Sequence, residues 1–78
     1  MYYIYILKCS DNHLYIGCTE NLEERLGRHR SKQVPATSGR LPMKLIACMI
    51  LQNKYKAFQF EKYLKSGSGR AFTNKHLI

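Results

Sequence analysis

Four of the six tyrosines in this 78-residue chain crowd its beginning: Tyr2, Tyr3, Tyr5 and Tyr15. A phenol ionises near pH ~10, so it becomes a useful base only where positive charge or a metal favours the phenolate. Such charge is at hand. Arg25 and His29 share an i, i+3, i+4, i+7 set with Leu22 and Leu26, and Glu61 shares another with Ala57, Phe60 and Leu64. Polar groups therefore stand where two helices turn toward their support. An arginine fork can grip a phosphate oxygen, and a single carboxylate can hold Mg²⁺, which keeps several of its waters. A base, a cation and a carboxylate brought together could serve acid–base or metal-assisted chemistry on an anionic substrate. Structural alternatives stand beside this reading. Arg25 and His29 could reach water from the stripe margin, Arg25 could pair with Glu61, and the tyrosines could simply stabilise a sheet.

Charge narrows the partners. Thirteen Lys and Arg face five Asp and Glu, a formal charge of +8. Asp11 lies in a turn signal, and Glu20, Glu23 and Glu24 gather at a helix start, where they complement its dipole. Every Lys and Arg except Lys8 falls within Arg25–Ile78, and there Glu61 is the sole side-chain carboxylate. Such a field favours a polyanion, and nucleic acid is the expected partner, with a solvated surface kept for solubility as the plain alternative. Cys9, Cys18 and Cys48 make an odd count with no export signal, which argues against a disulfide framework. Cys9, His13 and Cys18 lack the closely paired spacing of structural zinc ligands. The longest apolar run, Leu45–Leu51, is far too short for a membrane span, and Met1 leads straight into strand-like sequence. A soluble, cytoplasmic protein is expected, a monomer or weak dimer.

The elements that must position these residues form one domain over residues 1–78. With 45% hydrophobic residues the chain is too apolar for a disordered basic tail. Tyr2–Lys8, aromatic and β-branched, reads as a strand, and His13–Gly17 as a second. A three-residue loop suits the turn between them, because Asn12 tolerates the left-handed conformation. That register pairs Leu7 with Tyr15 and Tyr5 with Gly17, bringing both tyrosines to one face, with Gly17 leaving room over the Tyr5 ring. A two-residue loop would send them to opposite faces. Asn21 opens a helix to about Arg30, with Glu24 completing a capping box. Pro35, Gly39 and Pro42 mark a loop containing at most one helical turn. Met43–Gln52 reads as a third strand and Lys54–Lys65 as a second long helix stopped by Gly67 and Gly69, leaving 70–78 as a short helix or arm.

Taken in order, Tyr3-Ile4-Tyr5-Ile6-Leu7-Lys8, Leu14-Tyr15-Ile16-Gly17, Thr19 to Arg25, Arg40-Leu41-Pro42 and Glu61-Lys62-Tyr63-Leu64-Lys65-Ser66-Gly67 resemble the GIY-YIG nuclease domain. The likeness is nearest to the small stand-alone bacterial members, and it covers nearly the whole chain. It implies an α+β fold, a three-stranded antiparallel sheet flanked by helices. It also implies that Tyr5 and Tyr15 line a site where one tyrosine is the general base or positions the water. By the same resemblance Arg25 stabilises charge on the phosphate, and Glu61 holds one divalent metal, Mg or Mn. His29 matches a histidine of some members, and Asn74 is the match for an asparagine near the family's C-terminus. Arg40, Lys65 and Arg70 are expected beside it at the nucleic acid, and Gly17 is structural. Two positions depart from the pattern: Tyr3 replaces the first motif's glycine, and Cys18 stands where some members have a lysine. The expected function is a metal-dependent endonuclease acting on nucleic acid, DNA ahead of RNA, with structured or damaged DNA in repair or recombination as substrate. The alternatives are a catalytically weak binding module on the same scaffold and a basic surface for an acidic protein.

Overall fold

A computed structural model describes residues 1–78. Strand β1, Tyr2–Lys8, is the centre of a three-stranded antiparallel sheet with the order β2-β1-β3. Strand β2 is Leu14–Thr19 and β3 is Lys44–Leu51. Four consecutive residues of β1, Ile4 to Leu7, are fully buried, which requires cover on both faces of the sheet. Helix α3, Lys54–Leu64, supplies Ala57 and Leu64 to one face, where they pack with Ile4 and Ile6. Helix α1, Leu22–Arg30, supplies Leu26 to the other, against Tyr5 and Leu7. Each buried Ile or Leu contributes roughly 1.5–3 kcal/mol, so both layers matter to a chain this small. The α+β architecture is the expected one.

The hairpin takes the three-residue loop. Asn12 sits at φ 67°, and the Cys9 N–H donates to the His13 carbonyl at 2.8 Å. The register pairs Tyr5 with Gly17 and Leu7 with Tyr15, so both tyrosines share the α1 face. Strand β2 runs past Gly17 to Thr19, because Cys18 and Thr19 pair with Ile4 and Tyr3. At the start of α1, Asn21 Oδ1 accepts the Glu24 N–H at 3.1 Å. The reciprocal half of the capping box is absent. The Asn21 N–H goes to Thr19 Oγ1, and the Glu24 carboxylate reaches Arg28 at 2.7 Å.

One turn of helix, α2 (Pro35–Ser38), follows, with proline at its start. The glycines after α3 differ from their expected role. Helix α3 does end at Leu64, but Gly67 and Gly69 open the next helix, α4, Gly67–His76, capped by Ser66. A β-carbon on Gly69 would collide with the Tyr63 carbonyl and Leu64 Cα, so glycine lets α4 fold back tightly on the end of α3. No helix is long and apolar enough to cross a membrane.

Candidate active site

Tyr5 and Tyr15 leave neighbouring strands on the same face, with ring centroids 6.1 Å apart. Gly17 lies opposite Tyr5, and the room it leaves is taken by the Tyr5 ring itself, since a β-carbon there would overlap the phenol. His29, on the third turn of α1, closes the cluster from above. Its ring meets Tyr15 edge-on at 4.9 Å, and its Nε2 lies 3.0 Å from the Tyr5 hydroxyl. On its other side Nδ1 lies 2.8 Å from Oγ1 of Thr37, in α2. Tyr5, His29 and Thr37 are fully buried. His29 therefore does not reach water from the helix margin; burial first, and then Arg25, push its imidazole below the usual range.

The two tyrosines are not equivalent. Burial, followed by the neighbouring Tyr15 phenol, pushes Tyr5 well above its ordinary pKa and outweighs the opposing pull of Arg25. The expectation that nearby cations favour a phenolate thus fails at Tyr5, because desolvation disfavours the charged form more strongly. Tyr15 is half-buried and lines an open cleft of about 450 Å³. That cleft also receives His13, Arg40, Lys65, Arg70 and Asn74, so all four residues expected at the nucleic acid converge beside one tyrosine. Arg40 is anchored by the hairpin tip: its Nε meets Asp11 Oδ2 at 3.3 Å, and its carbonyl accepts the Ser10 N–H.

Further along β2, Cys18 and Arg25 line a second opening. Arg25 and Glu61 approach from helices on opposite faces of the sheet, and both act electrostatically on Cys18 and on Tyr5. They do not pair with each other. Arg25 forms no ion pair, whereas Glu61 Oε2 accepts from Lys65 Nζ at 3.1 Å. Burial and then Glu61 raise the Cys18 thiol, so a neutral group stands where the resemblance puts a lysine in some members. The Glu61 side chain is 22% exposed, and Oε1 has no protein partner. No group of three or more His, Cys, Asp or Glu side chains converges anywhere in the molecule. The donor set is thus one hard carboxylate with a free oxygen, which fits a Mg²⁺ or Mn²⁺ ion completed by water and phosphate. Thr37 is the site residue that sequence reasoning missed. Its one signal is the proline-led turn Pro35-Ala36-Thr37-Ser38, which carries no periodicity.

Known proteins resemble the chain in sequence and fold. Residues 1–75 match the GIY-YIG catalytic domain family. The UPF0213 protein YsiG of Lactococcus lactis is 46% identical over 65 residues, covering 82% of this chain and 62% of YsiG. A UPF0213 protein of Clostridium perfringens is 44% identical over 66 residues, covering 83% of this chain and 71% of that one. The chain thus spans less than two thirds of YsiG and somewhat more of the clostridial protein. The solution NMR structure of the UPF0213 protein BH0048 from Bacillus halodurans is similar, with a TM-score of 0.61 and 30% identity. That match covers 96% of this chain and 84% of the other. A catalytic-domain match over almost every residue, together with relatives of this identity on the same fold, establishes that the chain belongs to the GIY-YIG family and stands among its UPF0213 members.

Proposed function

We propose that the chain is a metal-dependent endonuclease that hydrolyses nucleic-acid phosphodiester bonds, with structured or damaged DNA met in repair or recombination as its substrate. One observation carries the reading: a half-buried tyrosine opens into a cleft that three cations and an asparagine share. Arg40, Lys65 and Arg70 would hold backbone phosphates there, and Asn74 would add a neutral donor. Tyr15 would take the proton of the attacking water, because it alone of the paired phenols reaches the cleft. Arg25, with no carboxylate to neutralise it, would donate to a phosphate oxygen as negative charge grows in the transition state. Tyr5 stays protonated and His29 stays neutral, so both would orient Tyr15 by contact. Glu61 would be the residue that holds Mg²⁺ or Mn²⁺, which when bound neutralises charge on the phosphate and the leaving oxygen.

The test is a cleavage panel of branched, flapped, single-stranded and duplex DNA and of RNA, run with Mg²⁺, Mn²⁺ or chelator. Cleavage is expected with metal and is lost in Glu61→Ala. Undiminished cleavage by Glu61→Ala overturns the role of Glu61. Salt-sensitive binding without cleavage under any metal replaces the nuclease reading with that of a binding module. The half-satisfied Glu61, already paired to Lys65, is the observation that keeps this second reading in play.

A further inference from the structure

His29 sits in a closed set of three polar side chains, and the protons in that set can be counted. The Tyr5 hydroxyl makes one hydrogen bond, to His29 Nε2 at 3.0 Å. The Thr37 hydroxyl meets His29 Nδ1 at 2.8 Å and the Val34 carbonyl at 3.4 Å. No buried side-chain polar atom in the molecule lacks a partner. Suppose His29 carries its proton on Nε2. That N–H then donates to the Tyr5 oxygen, Thr37 must donate to Nδ1, and the buried Tyr5 O–H can turn only toward the Tyr15 phenol, with which it forms no hydrogen bond in this structure. A doubly protonated imidazole turns the same hydroxyl that way and adds an unpaired buried charge. With the proton on Nδ1, every donor is placed: Nδ1–H to Thr37 Oγ1, Thr37 O–H to the Val34 carbonyl, and Tyr5 O–H to Nε2. Native proteins rarely leave a buried donor unmade, so the count selects this arrangement.

We propose that Thr37 is a positioning residue that fixes His29 as the Nδ1–H tautomer and so holds the Tyr5 hydroxyl as a hydrogen-bond donor. Thr37 touches neither cleft chemistry nor substrate; it acts through His29. A Tyr5 whose proton points at His29 has its oxygen lone pairs free on the side away from the imidazole. The Tyr15 phenol is the polar neighbour there, on the same face of the sheet. Reversal of the tautomer would turn that hydroxyl around and change what Tyr15 meets. The tautomer stands on geometry alone. Its consequence for catalysis deepens the nuclease reading and rests on it.

The test is long-range ¹H–¹⁵N correlation of the imidazoles in the labelled full chain. His13 and His76 are exposed and the His29 signals are assigned by their loss in His29→Gln. Wild-type His29 is expected to show a protonated Nδ1 and a bare Nε2. Thr37→Val keeps the shape and removes the hydroxyl, so the pattern should move toward Nε2–H or a mixture, and Thr37→Ser should restore it. In cleavage, Thr37→Val is expected to lower kcat roughly 10–100-fold, the usual scale for losing an outer orienting partner, with KM little changed. Wild-type His29 protonated at Nε2 overturns the proposal, as does an unchanged Nδ1–H pattern in a folded Thr37→Val protein. Should the valine variant not fold, the wild-type spectrum still decides the tautomer. An Nδ1–H pattern in a protein that cuts nothing upholds the tautomer and overturns the nuclease reading instead.

Discussion

Tyr5 and Tyr15 carry the same functional group on the same face of adjacent strands, yet one is fully buried and the other lines an open cleft. Their shared face was legible in the sequence, because Asn12 favours the loop that sets the register. Their difference was not, because it depends on His29, backed by Thr37, engaging the hydroxyl of one tyrosine and not the other. Gly17 provides the simplest test at this scale. In Gly17→Ala the new methyl falls on the Tyr5 phenol, which is fully buried and hydrogen-bonded to His29. A loss of about 1–3 kcal/mol is expected, read as a thermal midpoint lowered by roughly 4–8 °C per kcal/mol. The second test is pH. A histidine held below its ordinary pKa leaves the unfolded chain binding more protons as pH falls. Stability from His29 is therefore complete above about pH 6.5 and declines below it, by at most ~1.4 kcal/mol per unit. Urea unfolding at several pH values should show that decline, and His29→Gln should remove its share. Tyr5 acts at the opposite end: its raised pKa makes stability fall as pH climbs past about 10.

Among the elements, the three strands and two long helices follow patterns that sequence periodicity and caps express directly. Asn21 and Asn53 cap α1 and α3 through their side chains, as short polar residues before an apolar-periodic run should. Helix α4 was harder to read, since glycines after a helix usually signal its stop. Here Gly69 is required by the close approach of two helices, a tertiary cause that no local pattern reports. The pair of glycines makes a controlled comparison. Gly69→Ala should destabilise the protein by about 1–3 kcal/mol, because its methyl meets backbone that cannot move aside. Gly67→Ala, with open space at that position, should be neutral or stabilising by up to about 1 kcal/mol. Equal losses in the two variants would show that the α3–α4 crossing is not the reason for glycine at 69.

For the whole molecule, thirteen cations against five acids predict binding that weakens with salt, and the cleft says which cations matter. Each phosphate contact adds about 0.7–0.9 to the slope of log K against log salt. Lys65→Gln with Arg70→Gln should therefore lower that slope by about 1.4–1.8, whereas Lys32→Gln, outside the cleft, should leave it nearly unchanged. Fluorescence anisotropy with labelled DNA at several salt concentrations reads both outcomes. The charge total was plain in the sequence; its gathering around Tyr15 required the crossing of α4 over α3. The sheet order β2-β1-β3 carries a further consequence, in time. The hairpin and α1 join neighbours in the chain, so Tyr5, Tyr15, Arg25 and His29 can meet early. Strand β3 must reach β1 across the stretch between Lys8 and Lys44 that holds β2, α1 and α2, and α3 comes after it. A chain emerging during synthesis thus passes through a stage in which one edge of β1 is unpaired and Ile4 and Ile6 are bare. Glu61 is delivered by the same late step that covers them, so the carboxylate proposed to hold a metal arrives only with the finished fold.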